Sequence, residues 1–218
     1  MENERKKNPR QLALRSLTAL ENAGKYANLE VSATLDRGGL SEADRGLYTA
    51  LVYGVTERKL TLEYVLEGLS RRSVKDLEQP VRLAACLGLY QLLFMDRIPD
   101  HAAVSESVDL VTGPGRRLVN AVLRSFLREG KKWAPPSKKA DFEKYLSVKT
   151  STPLPLVSLL CGQWGEEETE AILTSFLEDD HHVCFRVNTL RTDAQSLKER
   201  LESAGEEVSL SPWDPDML

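Results

Sequence analysis

Apolar residues recur every three or four positions through most of residues 9–129, with polar residues filling the intervals. That spacing is one side of a 3.6-residue helix, so the segment predicts helix after helix. Asn8 can cap the first, Pro9 suits its first position, and Gly24 ends it. A short helix over about 28–37 stops at Gly38-Gly39. Ser41 and Asp44 form a capping-box-like start for a helix through Tyr48, Leu51, Val52 and Val55 that continues, or breaks and restarts, near Arg58 and runs to Leu69. Pro80 opens a stretch that is apolar nearly all round, the pattern of a helix at the centre of a bundle. Pro99 opens the next, and Gly113-Pro114-Gly115 turns the chain into a last helix before a linker-like Ala134–Lys139.

After the linker the pattern changes. One more short helix, then helices starting at Thr152-Pro153 and after Gly165, are expected. His182–Asn188 alternates as a strand does, Thr192 and Gln195 form a second capping box, and Glu207–Leu210 is a further expected strand. The expected fold is therefore mainly α: an all-helical bundle over 1–137, or a few residues longer after one more short helix, then linker helices and a small α+β region over 138–218.

Charge divides the chain in the same way. Residues 1–149 hold 25 basic and 19 acidic side chains, and residues 150–218 hold 4 and 14. Only the first part suits a polyanion. Its most telling stretch is Gly115–Trp133. At 100° per residue, Arg117, Arg124, Arg128 and Lys131 fall within roughly 60° of one another. Val119, Val122, Leu123 and Phe126 gather opposite. From Leu110 to Ala140 there are eight basic residues and one acid, Glu129. Solvated faces usually mix both signs, so this ridge reads as a seat for phosphates, each releasing a counterion when neutralised. Arg5, Lys6, Lys7, Arg10 and Arg15 read either as a basic arm on RNA or as a solubilising tail. Lys132 extends the ridge, Trp133 beside it is the candidate for stacking on a base, and Arg71, Arg72 and Lys75 read as solvent-facing.

Other chemistry is thin. Cys86, Cys161 and Cys184 are widely spaced and odd in number, which favours a reducing cytoplasm. His181, His182 and Cys184 read as surface and edge residues, so no metal is expected. No apolar run approaches the 18 residues of a membrane span, and the charged MENERKKNPR start lacks a signal peptide's apolar segment. Asp44, Arg45, Arg97 and Glu106 read as ties between helices, Asn120 as a satisfied interior group, and Tyr48, Tyr53, Tyr64 and Tyr90 as core. The final SPWDPDML reads as the end of a cut chain.

Several motifs resemble the NusB family, in the version fused to RNA methyltransferases. Asp44-Arg45 followed by Leu51-Val52-Tyr53-Gly54-Val55 resembles its central helix. Tyr90–Leu93, Asp96–Pro99, Ala103-Val104, Glu106 and Val108 resemble its fifth-helix signature, with Ser105 where Asn is common before the Glu. Val119–Arg124 resembles its final motif. Leu146–Lys149, Ser151, Pro153 and Leu156-Val157 resemble the start of the methyltransferase part, and Arg186–Leu190 its RVN-type strand in a partial RRM-like region. Together these resemble the bacterial small-subunit ribosomal RNA (cytosine-5) methyltransferases of the Sun/Fmu (RsmB) family.

The resemblance implies ribosomal RNA as partner, S-adenosylmethionine as the full-length cofactor, and a catalytic domain that uses cysteine attack on the base. No glycine-rich cofactor turn and no cysteine in the family's catalytic context occurs here, so no catalytic residue and no cofactor is assigned to these residues. Two readings follow. One is an RNA-recognition region that positions ribosomal RNA without catalysing anything itself. The other is a NusB-like antitermination or protein-docking module without direct RNA contact.

Overall fold

A computed structural model describes residues 8–177 and 183–218. They divide into two compact units, one ending at Thr174 and one running from Ser175 to Leu218. In the first unit the helices are α1 (Pro9–Ala23), α2 (Ala27–Asp36), α3 (Glu42–Glu57), α4 (Lys59–Ser70), α5 (Gln79–Phe94), α6 (Asp100–Val108), α7 (Gly113–Arg128), α8 (Phe142–Thr150) and α9 (Leu154–Ser175).

The expected starts and stops hold. The Asn8 side chain accepts from the N–H groups of Arg10 and Gln11, and Gly24 ends α1 at φ 58°. Ser41 accepts from the Asp44 N–H at the start of α3. Helix α5 is the hub, with ten buried residues from Val81 to Leu92, and it packs against α1, α3, α4, α6 and α7. Such a helix has no polar side to show, which is why its sequence is apolar all round. Close crossing needs small residues here: a Cβ at Gly54 would fall inside the Tyr90 ring, and one at Gly88 would strike Leu123.

The bundle does not stop at Ser137. Thr61 Oγ1 donates to the Val148 carbonyl over 2.6 Å, and the Leu60 N–H donates to Ser151 Oγ over 3.0 Å, fastening α8 to the start of α4. Leu146, Val157 and Leu173 form a small second core between α8 and α9. Lys138 and Lys149 both donate to Glu170, at 2.5 and 2.8 Å. The compact unit thus reaches Thr174, beyond the break expected at 137. Gly165, at φ 79° and ψ 172°, interrupts α9 where a new helix was expected to begin. Tyr48 is fully buried, but Tyr53 is 40% exposed and leaves the expected core.

The second unit differs more. The described residues contain no partial RRM-like sheet. Their only strand-like pairing is one antiparallel bridge, Arg186 with Met217. Phe185 and Leu218 exchange backbone hydrogen bonds at 3.0 and 3.1 Å. The alternating segment therefore pairs with 216–218, and Glu207–Leu210, expected as a strand, is irregular. Helix α10 (Ala194–Ser203) is capped by Asp193, which accepts from the Ser196 N–H, in place of the expected Thr192. Ionised, Asp193 offers a stronger acceptor than a hydroxyl. Val187, Ala194 and Leu218 form the small core.

Candidate nucleic-acid interface

Helix α7 realises the segregation read from its sequence. Val119, Val122, Leu123 and Phe126 are buried, while Arg117, Arg124 and Arg128 are exposed. Arg117 to Arg128 spans about 16 Å of helix axis at 1.5 Å per residue. Arg124 Nε donates to Asn120 Oδ1 over 2.9 Å, and Arg128 donates to Ser125 Oγ over 2.8 Å. Both acceptors are neutral, so the guanidinium charges are oriented without being cancelled. Among the described residues, no carboxylate pairs with Arg117, Arg124, Arg128 or Lys132. Asn120, expected inside, is only half-buried and serves as the prop for Arg124.

The other expected contacts separate. Arg15 is exposed on α1. Arg10 is a correction: it is 9% exposed, and its Nε donates to Gln91 Oε1 over 2.7 Å. Burial lowers its pKa, with the charges of Glu106 and Asp44 acting the other way. A side chain so enclosed has no face for a phosphate. Glu106 itself accepts from Asn8 Nδ2 over 3.1 Å, so it ties the α1 start to α6. Arg5, Lys6 and Lys7 lie outside the described residues. Helix α7 ends at Arg128, and Lys131 takes φ 58° and pairs with Asp100 at 2.6 Å. It leaves the helical ridge and is half neutralised by that ion pair. Lys138 is engaged by Glu170.

Arg71 faces solvent as expected, but its neighbours were not legible in the sequence. It caps α4 at φ 54°, and it lines a groove with Arg128, Lys132, Tyr64 and Trp133 whose volume is about 640 Å³. The cluster around Arg82 was missed too. Arg82 pairs with Glu21 at 2.5 Å and with Glu63 at 2.6 Å, and Lys59 reaches Glu21 at 2.7 Å. Burial would raise the Glu21 carboxyl, but hydrogen bonds from Arg82, Gln79 and Lys59 outweigh it and hold its pKa at about 2. Among the described residues, no group of His, Cys, Asp and Glu could hold a metal ion; His181 and His182 are not among them. Among the described residues, no helix is long and apolar enough to cross a membrane.

Residues 7–128 match the NusB family model. The chain belongs to the NusB family. This NusB-family chain is also 33% identical over 210 residues to the probable ribosomal RNA small subunit methyltransferase B of Bacillus subtilis (strain 168), covering 94% of itself and 46% of that protein. It is 34% identical over 196 residues to the probable enzyme of the same name from Synechocystis sp. (strain ATCC 27184 / PCC 6803 / Kazusa), covering 87% and 44%. The chain thus spans less than half the length of these relatives. The crystal structure of PH0851 shares the fold, with a TM-score of 0.59 at 19% identity, over 96% of this chain and 47% of that one. The NusB match ends where α7 ends, so the ridge helix is the last element of the family's bundle.

Proposed function

We propose that this chain is the RNA-recognition region of a cytoplasmic small-subunit ribosomal RNA methyltransferase, and that α7 seats the RNA by its phosphates. The observation that carries this is the exposure of Arg117, Arg124 and Arg128 on one helix face with no carboxylate partner among the described residues. Such a row recognises backbone, not sequence, and fixes register. The relatives named as methyltransferase B are about twice as long as this chain, and on this reading catalysis belongs to a part of the full-length protein outside these residues. There the target cytosine would be methylated at carbon-5, with S-adenosylmethionine as donor.

Three closely packed glycines of the bundle offer that cofactor no cradle. A Cβ at Gly54, Gly88 or Gly115 would meet Tyr90, Leu123 or Val81, so these glycines admit neighbouring helices and not a ligand. Burial pushes the Cys86 thiol up to about 12, far from a thiolate nucleophile. No step of methyl transfer is therefore assigned to these residues.

Binding of small-subunit ribosomal RNA fragments at increasing salt tests the reading. If about four phashosphates are neutralised on unpaired RNA, log K falls against log[salt] with a slope of roughly −3. Reversing Arg124 and Arg128 to Glu weakens binding and leaves helical content unchanged. Salt-independent binding, or capture of a protein partner with no RNA shift at low salt, favours the docking reading instead.

A further inference from the structure

The groove between α4 and α7 carries more than the ridge alone requires. Its walls bring together side chains some sixty positions apart in sequence: Tyr64 from the middle of α4 and Arg71 from its end, and Arg128, Lys132 and Trp133 from the end of α7 and beyond. Two aromatic rings stand beside three cations, and both rings are partly exposed. Of the two acids on the walls, Glu67 already accepts the Val74 N–H at 2.9 Å, and Glu129 is exposed. The cations outnumber the acids, and Arg128 belongs to both the ridge and the groove.

We propose that this groove is a nucleotide subsite: it takes one unstacked nucleotide of the RNA whose backbone lies on α7. The inference rests on the ridge reading and adds to it. The chemistry matches the geometry. A base has an apolar face that stacks on Trp133 or Tyr64, and its phosphate meets Arg71 and Lys132. The volume of about 640 Å³ is ample for one nucleotide. A paired base cannot enter, so the groove selects loops and bulges over continuous duplex.

The conformation of Arg71 supplies a test that a structural role would not pass. It holds φ 54°, where glycine is at ease and a long side chain is not. Arg71→Gly therefore removes a charge from the groove while relieving the backbone. A residue kept only for the helix end would give a protein at least as stable with unchanged RNA binding.

The experiment uses the 218-residue chain with Trp164→Phe and Trp213→Phe, which leaves Trp133 as its single tryptophan. An RNA hairpin with an unpaired loop and a blunt duplex of the same stem are titrated in. The hairpin is expected to quench Trp133 emission and the duplex to leave it unchanged. Arg71→Gly is expected to bind the hairpin about fivefold more weakly, with the salt slope smaller by about one, and with a melting temperature that does not fall. Equal affinity for hairpin and duplex, with Arg71→Gly indistinguishable from its parent, overturns the subsite; if Arg124→Glu still weakens both RNAs, the ridge stands. Absence of binding to either RNA at low salt overturns the ridge and the subsite with it.

Discussion

Arg10 donates through Nε to Gln91 Oε1 over 2.7 Å, joining the first turn of α1 to the last turn of α5. Gln91 is 1% exposed, and its amide nitrogen donates onward to the Leu87 carbonyl and to Ser107 Oγ. Replacing Arg10 with Met leaves a buried amide oxygen without its donor. The expected cost is about 1–3 kcal/mol in urea unfolding. RNA affinity at fixed folded fraction should not change, because the guanidinium has no outward face.

The ridge predicts a ranking. Arg117→Gln, Arg124→Gln and Arg128→Gln should each reduce the salt slope of RNA binding by about one. Lys131→Gln should reduce it less, since Asp100 already shares that charge. All four should stay within about 0.5 kcal/mol of the parent's stability, as exposed substitutions usually do. Filter binding over a salt series, beside denaturant midpoints, checks both statements.

Glu21 gives a pH dependence. Its pKa is about 2 in the folded chain against an ordinary 4.5. A carboxyl with a depressed folded pKa stabilises the fold above its unfolded pKa, and that contribution is lost as pH falls from about 4.5 toward 2. Stability should therefore decline across this window. Glu21→Gln should start lower at neutral pH and decline less steeply, since one proton uptake on unfolding has been removed. Urea midpoints at stepwise lower pH give the comparison.

Thr61 is 1% exposed and holds the Val148 carbonyl at 2.6 Å. Thr61→Val keeps the shape and deletes the donor, at an expected cost of about 1–2 kcal/mol. The loss should be local. Amide exchange should speed up in α8 before it does in α5, a pattern that hydrogen exchange resolves residue by residue.

The helices of the bundle were legible because most bury one stripe, α5 is apolar all round, and several are bracketed by Pro, Asn, Ser or Gly in positions with a clear physical meaning. The face of α7 was legible for the same reason, since a helical wheel needs only local order. What failed depended on distant partners. Arg10 reads as part of a basic arm until Gln91, 81 positions away, takes it inside. Arg82 lies in a stretch apolar on every side, and nothing near it in sequence announces Glu21 or Glu63. Lys131 fits the wheel, but the wheel assumes that the helix continues, and Gly130 and Lys131 turn left-handed instead. Arg71 does face solvent as read, but only the crossing of α4 with α7 sets it beside Arg128. In the second unit the alternation around Phe185 was a true sign of extended backbone, yet alternation cannot say which segment will pair with it.

The fastening of α8 onto α4 governs how this molecule tolerates being shortened. Ending a recombinant piece at the proline-rich stretch near Ala134, where composition invites the cut, would remove the partners of the Leu60 N–H and the Thr61 hydroxyl and open the start of α4 to water. A fragment carried through Thr174 keeps both, and keeps Glu170 with its two lysines, so it is the shorter version worth expressing.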